Sequence, residues 1–414
     1  MNAYLFLIGL CIIIIVSFFT NMLARKTNIP SVLILILLGV GLQQLMIYFD
    51  MEPNYFRSLE ILGIVGLIMI VLEAALDLEL KKENWPTIWK SFTIASMSLG
   101  FTSVSIALFI PVFIPGIDFL RALVYALPLS IMSSAIIIPS VANLSGYKKE
   151  FLIYESTFSD ILGIMVFYMI IENLDVEGMR QLSFAISSNI LLTLLTSVLL
   201  CYALLYIIQN IKGDAKFFLF LAVLVLLYAV GKLFHLSSLI IILMFGLLLR
   251  NYKILLFGQL RKWLDDGRID GLFDQFKMIT KETSFLVRTF FFVVFGMTLP
   301  LSTLFERNVW LISIIFLIIT YVIKFGLYFI IERKEILSRS FIAPKGLITV
   351  LLFFAIPDSL REENFEAAVL FVVIIVTNII MGWVLIASGK SSSEITETGV
   401  TGKESSGNGN VQED

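Results

Sequence analysis

The chain is poor in the residues from which catalytic and redox sites are usually built. It has one histidine, His235, and two cysteines among 414 residues. Cys11 and Cys201 both fall in apolar runs, which argues against a disulfide framework. With one histidine and no H-E-x-x-H or G-x-S-x-G pattern, the metal and nucleophile signatures of a membrane enzyme are missing. His235 lies near the outer end of its run, a poor position for a histidine pH sensor. A basic excess is missing too. Lys and Arg number 30 against 32 Asp and Glu, a net charge of −2, so no electrostatic footprint for nucleic acid is present. No cofactor is expected.

Apolar sequence is what the chain has in quantity. Hydrophobic residues make up 58% of it, with 36 Phe, and the mean hydropathy is +0.95. A soluble domain would not sustain this. The recurrent runs can each cover the roughly 20 residues that cross a bilayer core. The predicted class is an all-α polytopic membrane protein with about thirteen transmembrane helices. The spans fall near 3–22, 30–48, 58–80, 91–115, 119–145, 151–172, 182–211, 216–234, 236–250, 284–305, 309–332, 336–357 and 365–388. Merging 216–250 would give a count one lower, because Gly231, His235 and two serines make only a weak break. The first run lacks a basic n-region and a small-residue cleavage site, so it reads as a span and not a cleaved signal.

Basic residues orient the spans. Loops after odd-numbered spans carry Arg25 and Lys26, Lys81, Lys82 and Lys90, Lys148 and Lys149, Lys212 and Lys216, a run of basics over 250–281, and Arg333, Lys334 and Arg339. Loops after even-numbered spans carry single charges: Arg57, Arg121, Arg180, Lys232, Arg307 and Arg361. The bias places the N-terminus outside and the C-terminus in the cytoplasm. Within the longest internal loop, 251–283, "LRKWLDDGRIDGLFDQF" reads as a cytoplasmic amphipathic helix at the interface. The tail 389–414 is polar and Gly/Ser-rich, and is expected to be disordered.

Thirteen spans point to duplication. Spans 1–6 and 8–13 would form two inverted six-helix repeats joined by span 7. Inverted repeats put their binding site at midplane, beside matched interruptions. Span 5 carries "LSIMSSAIIIPSVANLSG", with Ser133, Ser134 and Pro139; its repeat mate, span 12, carries "FIAPKGLITV", with Pro344, Lys345 and Gly346. A proline inside a helix removes a backbone hydrogen bond, and carbonyls freed in lipid are tolerated only beside protein or water. Both segments are therefore expected to be discontinuous helices that cross near a cavity.

Few charges lie away from span ends. They are Glu73 and Asp77 in span 3, Glu155 and Asp160 in span 6, Arg288 in span 10, Lys324 in span 11 and Lys345 in span 12. At about 1.5 Å per residue, Asp160 lies roughly 13 Å inside the cytoplasmic face, near the middle of a core about 30 Å thick. Glu73 and Lys324 come out at similar depths, so one cluster could hold Glu73, Glu155, Asp160 and Lys324. Ser156 and Asp160 are four residues apart and share a helix face. Glu155 and Ser159 share another. Asp160 and Ser156 can offer oxygens to one cation, whereas Glu155 needs a partner, and Lys324 is the obvious one. Asp77 reads as a boundary charge. Lys345 and Arg288 can snorkel, and Ser133 and Ser134 can be simple packing residues.

These residues resemble a family. "ESTFSD" resembles the Glu-Ser-x-x-Asn-Asp signature of NhaP-type sodium/proton antiporters, in the monovalent cation:proton antiporter superfamily. "VLEAALDLEL" is similar to that family's Phe-Glu-x-Gly-Leu-Glu segment, and "APKGLITVLL" to the Pro-Arg-Gly segment that opens its second broken helix. The resemblance covers residues 1–388 and includes motif order and topology. It implies an NhaA/NapA/NhaP-like fold with a core over about 91–172 and 309–388 and a dimerisation scaffold over about 1–80 and 182–305. It further implies a homodimer in the cell (inner) membrane.

Residue by residue, the resemblance makes Asp160 the carboxylate that takes either cation or proton. Ser156 becomes a cation ligand, Glu73 a ligand directly or through water, and Ile137 the donor of a backbone carbonyl. Glu155 becomes the structural glutamate paired in span 11. Ser159 stands where the family has Asn, Ile138 where it has Asp, and Lys345 where it has Arg. Lys324 is lysine where this branch usually has arginine. The expected activity is exchange of a monovalent cation, Na⁺ foremost, against H⁺ by alternating access. A single titrating acid predicts a 1:1 electroneutral cycle; proton release by Lys324 would make it electrogenic. The alternatives are K⁺/H⁺ exchange, a proton-coupled carrier of a small organic ion on a related fold, or a channel. A channel fits worse, since an ion-exchanging carboxylate is not a carbonyl filter.

Overall fold

A computed structural model of the chain describes residues 3–27, 31–48, 56–141, 144, 146–172, 195–203, 206, 216–233, 238–255, 265–298, 306–333, 335–362 and 367–404. These residues form helices and connecting turns, with no strand among them. The principal helices are α1 (Ala3–Thr27), α2 (Ser31–Tyr48), α3 (Phe56–Asp77), α4 (Trp85–Phe113), α5 (Phe119–Ser130), α6 (Ser134–Ser140) and α7 (Gly146–Glu172). They continue as α8 (Lys216–Leu233), α9 (Ser238–Leu255), α10 (Asp266–Met297), α11 (Arg307–Ile331), α12 (Ile336–Ser340), α13 (Leu347–Phe354) and α14 (Ala367–Glu404). Residues 195–203 are also helical; the rest of expected span 7 lies outside the described residues. Among the described residues, six stretches are long and apolar enough to cross a membrane: Ser31–Tyr48, Lys82–Phe113, Phe119–Ser140, Gly146–Ile171, Arg307–Ile331 and Ala368–Ala387.

Packing sorts the helices into two groups. In one, α10 packs on α2 and α3, α3 packs on α9, α8 on α9, and α1 on α2. In the other, α4 packs on α5, α7 and α11, α11 on α14, and both α6 and α13 rest on α7. The first group is held by close helix approach. A Cβ built on Gly39 of α2 would stand 2.9 Å from the Gly296 Cα of α10, so side chains larger than hydrogen would force these helices apart. The groups meet where α3 and α9 reach α7 and where α13 reaches α3 and α10.

Several boundaries differ from the sequence expectation. Of the amphipathic segment in loop 251–283, residues 256–264 lie outside the described residues. From Asp266 it runs without interruption into span 10, as the single helix α10. Lys277 and Lys281 on that helix both face Asp77 of α3, at 3.0 and 3.5 Å, so a tertiary partner holds the charged half upright. α3 stops at Asp77 because Asn251 of α9 takes over its end: the Asn251 side chain accepts from Leu80 N at 2.7 Å and donates to the Leu78 carbonyl at 2.8 Å. Expected spans 8 and 9 are two helices that pack on one another. α14 runs to Glu404, into the first part of the polar tail. Residues 405–414 lie outside the described residues.

The first interruption falls inside the expected segment, at its serines; Pro139 sits inside α6. The chain unwinds earlier, at Ile131–Ser133, between α5 and α6. The second interruption, residues 342–346, falls where Pro344 and Gly346 placed it, between α12 and α13. The reason for the difference lies in the partners available to the unwound backbone.

Candidate cation and proton site at the helix crossing

Unwound backbone in a membrane protein must have its polar groups satisfied locally. At the first break, Met132 N–H donates to Ser159 Oγ at 2.9 Å, Ser133 N–H to the Pro344 carbonyl at 3.0 Å, and Ser134 N–H to Asp160 Oδ2 at 2.9 Å. At the second, the Ile342 carbonyl accepts from Lys324 Nζ at 2.7 Å. Lys345 N–H donates to Thr377 Oγ1 at 3.1 Å, and its carbonyl accepts from Asn378 Nδ2 at 2.9 Å. The Ser133–Pro344 bond ties one broken segment directly to the other. Gly346 is required there: a Cβ on it would stand 2.8 Å from Ser133 Cβ.

Asp160 is fully buried beside this crossing. Its Oδ2 is held by Ser134 N–H, while Oδ1 has no hydrogen-bond partner among the described residues. A buried carboxylate oxygen without a donor is costly unless a proton or a cation joins it. Ser156, one turn back on α7, is also fully buried, and its hydroxyl donates to the Ile153 carbonyl at 3.1 Å. Its lone pairs are not used by that bond. Ser159 faces the crossing, where its oxygen accepts from Met132. Ser133 therefore serves the site through its backbone N–H, and Ser134 through its backbone N–H and its hydroxyl.

Glu155 belongs to a different constellation. It lies 3.2 Å from Lys324 Nζ and also accepts from the Tyr328 hydroxyl. Lys324 donates in addition to the Ile342 carbonyl and, at 2.8 Å, to Met132 Sδ. All three ammonium donors are thus engaged. This pair links α7 and α11 to both broken segments. The single four-residue cluster expected from depth does not form. Glu73 makes no bond to Asp160, Glu155 or Lys324 among the described residues; five residues of helix turn Glu155 and Asp160 to different neighbours.

Glu73 instead pairs with Arg288 of α10, Nη2 to Oε2 at 2.8 Å. Arg288 Nη1 also reaches the Ala135 carbonyl on α6, at 3.4 Å. Pro139 explains why that carbonyl is open. In an α-helix the carbonyl of residue 135 would accept from the N–H of residue 139, and proline has none. The Ile137 carbonyl, expected as a ligand, accepts from Val141 N–H at 2.9 Å and keeps its second lone pair. The carbonyl that a helical proline frees lies four residues before it.

Lys345 is buried, with 1% exposure, and does not snorkel. Among the described residues its ammonium makes neither an ion pair nor a hydrogen bond, with Asp160 and Lys324 within electrostatic reach. It lines a cavity of about 10 Å³ together with Ser98, Ser130, Ser159, Thr320 and Lys324. That is room for about one water molecule. Among the described residues no group of three or more His, Cys, Asp or Glu is placed to hold a metal ion. Sequence reasoning missed Tyr328, Thr377, Asn378 and the tie made by Arg288. Thr377 and Asn378 carried a readable signal, as adjacent polar residues within an apolar span.

The chain belongs to the sodium/hydrogen exchanger family, whose transmembrane region it matches over residues 12–387. It is therefore a multi-pass membrane transporter of the cation/proton antiporter class, not an enzyme. Two solved structures of the sodium proton antiporter MjNhaP1 from Methanocaldococcus jannaschii share its fold. The one at pH 8 has a TM-score of 0.66 at 18% identity and covers 93% of this chain and 96% of its own. The electron-microscopy map has a TM-score of 0.66 at 17% identity, covering 95% of this chain and 97% of its own. The fold is thus of the NhaP type. Comparison with curated proteins gave no match.

Proposed function

We propose that this protein exchanges a monovalent cation, Na⁺ foremost, for H⁺ by alternating access, with Asp160 as the shared site. The observation that carries the reading is the unpartnered Oδ1 of a fully buried Asp160 at the crossing of two unwound segments. A proton or a dehydrated cation at that oxygen gives a form closer to neutral, which crosses an apolar barrier more readily than the bare carboxylate. Ser156 and Glu73 are the remaining oxygen donors on the adjoining faces, and hard cations want oxygen ligands. In this reading the group built on α4, α5–α7 and α11–α14 is the core that moves against the scaffold. The protein works as a homodimer in the cell (inner) membrane, with the N-terminus outside and the C-terminus cytoplasmic.

One competing carboxylate gives a 1:1 electroneutral cycle, and the full engagement of Lys324 supports it. Lys345, buried and unpaired, favours the electrogenic alternative. Proteoliposomes distinguish the two: cation-driven pH change is recorded with and without a clamped potential, for the wild type and Asp160→Asn. Normal exchange by Asp160→Asn would sink the site assignment. A strong dependence on potential would replace the electroneutral cycle. Competition among Na⁺, Li⁺, K⁺ and small organic cations in the same vesicles identifies the cargo.

A further inference from the structure

Pro139 and Arg288 are far apart in sequence and come from different helix groups, yet they act on one carbonyl. Pro139 deprives the Ala135 carbonyl of its helical donor. Arg288 supplies a replacement from α10, and its other terminal nitrogen binds Glu73. The guanidinium thus spans a carboxylate of the scaffold group and a backbone oxygen of the core group. It stands one residue from Ser134, whose N–H holds Asp160. Both acceptors are hard oxygen donors of the kind a small cation requires. The Arg288 Nε is buried without a partner among the described residues, so the side chain is not fully satisfied by them.

We propose that Arg288 is a tethered cation that fills the empty site, and that the transported cation binds by displacing its guanidinium from Glu73 and the Ala135 carbonyl. The inference rests on the reading of Asp160 as the exchange site and adds a specificity-determining residue to it. In the cation-free state Arg288 neutralises Glu73 and pins the core half-helix α6 to the scaffold. A bound cation takes over the carbonyl, the carboxylate and the vacant oxygen of Asp160. Arg288 is then released from both groups. Binding and release of the two groups become one event. Arg288 also sets a threshold: a cation must compete with a guanidinium already in place, so apparent affinity is lower than the oxygens alone would give.

Apparent KM and maximal rate for Na⁺ in proteoliposomes test this. Arg288→Gln removes the competitor. Its apparent KM should fall by about tenfold, the scale of one charge-assisted contact, while exchange persists. Pro139→Ala returns an N–H to the Ala135 carbonyl and should raise KM, because the oxygen is then engaged within α6. Sodium-dependent thermal stabilisation in detergent gives a second readout: Arg288→Gln should be stabilised at lower Na⁺ than the wild type. If Arg288→Gln does not fold, Arg288→Lys keeps the charge but loses the fork, and its KM should fall by a smaller factor. An unchanged or raised KM in the folded Arg288 variant overturns the proposal, as does an unchanged KM in Pro139→Ala. Failure of the underlying site reading shows separately, as exchange that survives Asp160→Asn.

Discussion

Glu155 and Asp160 stand five residues apart on one helix, and both are buried, yet they are solved in opposite ways. Glu155 has an ammonium on one oxygen and a phenol on the other. Among the described residues, Asp160 is held by Ser134 alone and has no donor on Oδ1. A buried charge whose partners are complete resists change, because removing any member leaves an uncompensated ion. A buried carboxylate left half-satisfied invites a small ion. The difference separates scaffold from site within a single motif.

The comparison breaks most visibly at Asp160. Asp160→Asn should abolish cation/proton exchange in proteoliposomes while the purified protein keeps its melting temperature, since the residue holds no structural ion pair. Glu155→Gln should do the reverse in kind. Leaving Lys324 buried without its counter-charge costs about 3–5 kcal/mol of stability, read as a lower melting temperature and poor recovery from the membrane. Pairing it with Lys324→Met should restore part of that loss. Gly346→Ala tests the crossing: its Cβ meets Ser133, and overpacking of this kind costs about 1–3 kcal/mol. Ser159→Ala sharpens the contrast further down the scale. It leaves Met132 N–H unsatisfied at about 1–3 kcal/mol, so it should lower the melting temperature before it alters the cation KM. Thr377→Val, opposite Lys345 N–H, should have the smallest effect, about 1 kcal/mol.

Much of this arrangement was legible. Composition and run length gave an all-helical membrane protein, and helical spacing put Ser156 with Asp160 and turned Glu155 away from them. Pro344 and Gly346 located the second break. The first break lies beside the serines named for it and not at Pro139, because proline marks a missing N–H and not the place where a chain unwinds. Ile131–Ser133 unwinds because Ser159, the Pro344 carbonyl and Asp160 are all there to receive its groups. Depth alone also grouped Glu73 with Asp160, Glu155 and Lys324. Depth carries no azimuth for different helices, and Arg288, treated as a charge that could snorkel, turned out to be the partner of Glu73.

The sequence by itself determined the apolar helices, the orientation of carboxylates along α7 and the chemistry available at midplane, since these depend on composition and on a period of about 3.6 residues. Only the tertiary structure decided which oxygen stays free. That depends on partners drawn from α6 for Asp160 and from α11 for Glu155, the latter more than a hundred residues from "ESTFSD". In a medium without water, every partner gained by one group is withheld from another. Asp160 Oδ1 is what this allocation leaves open.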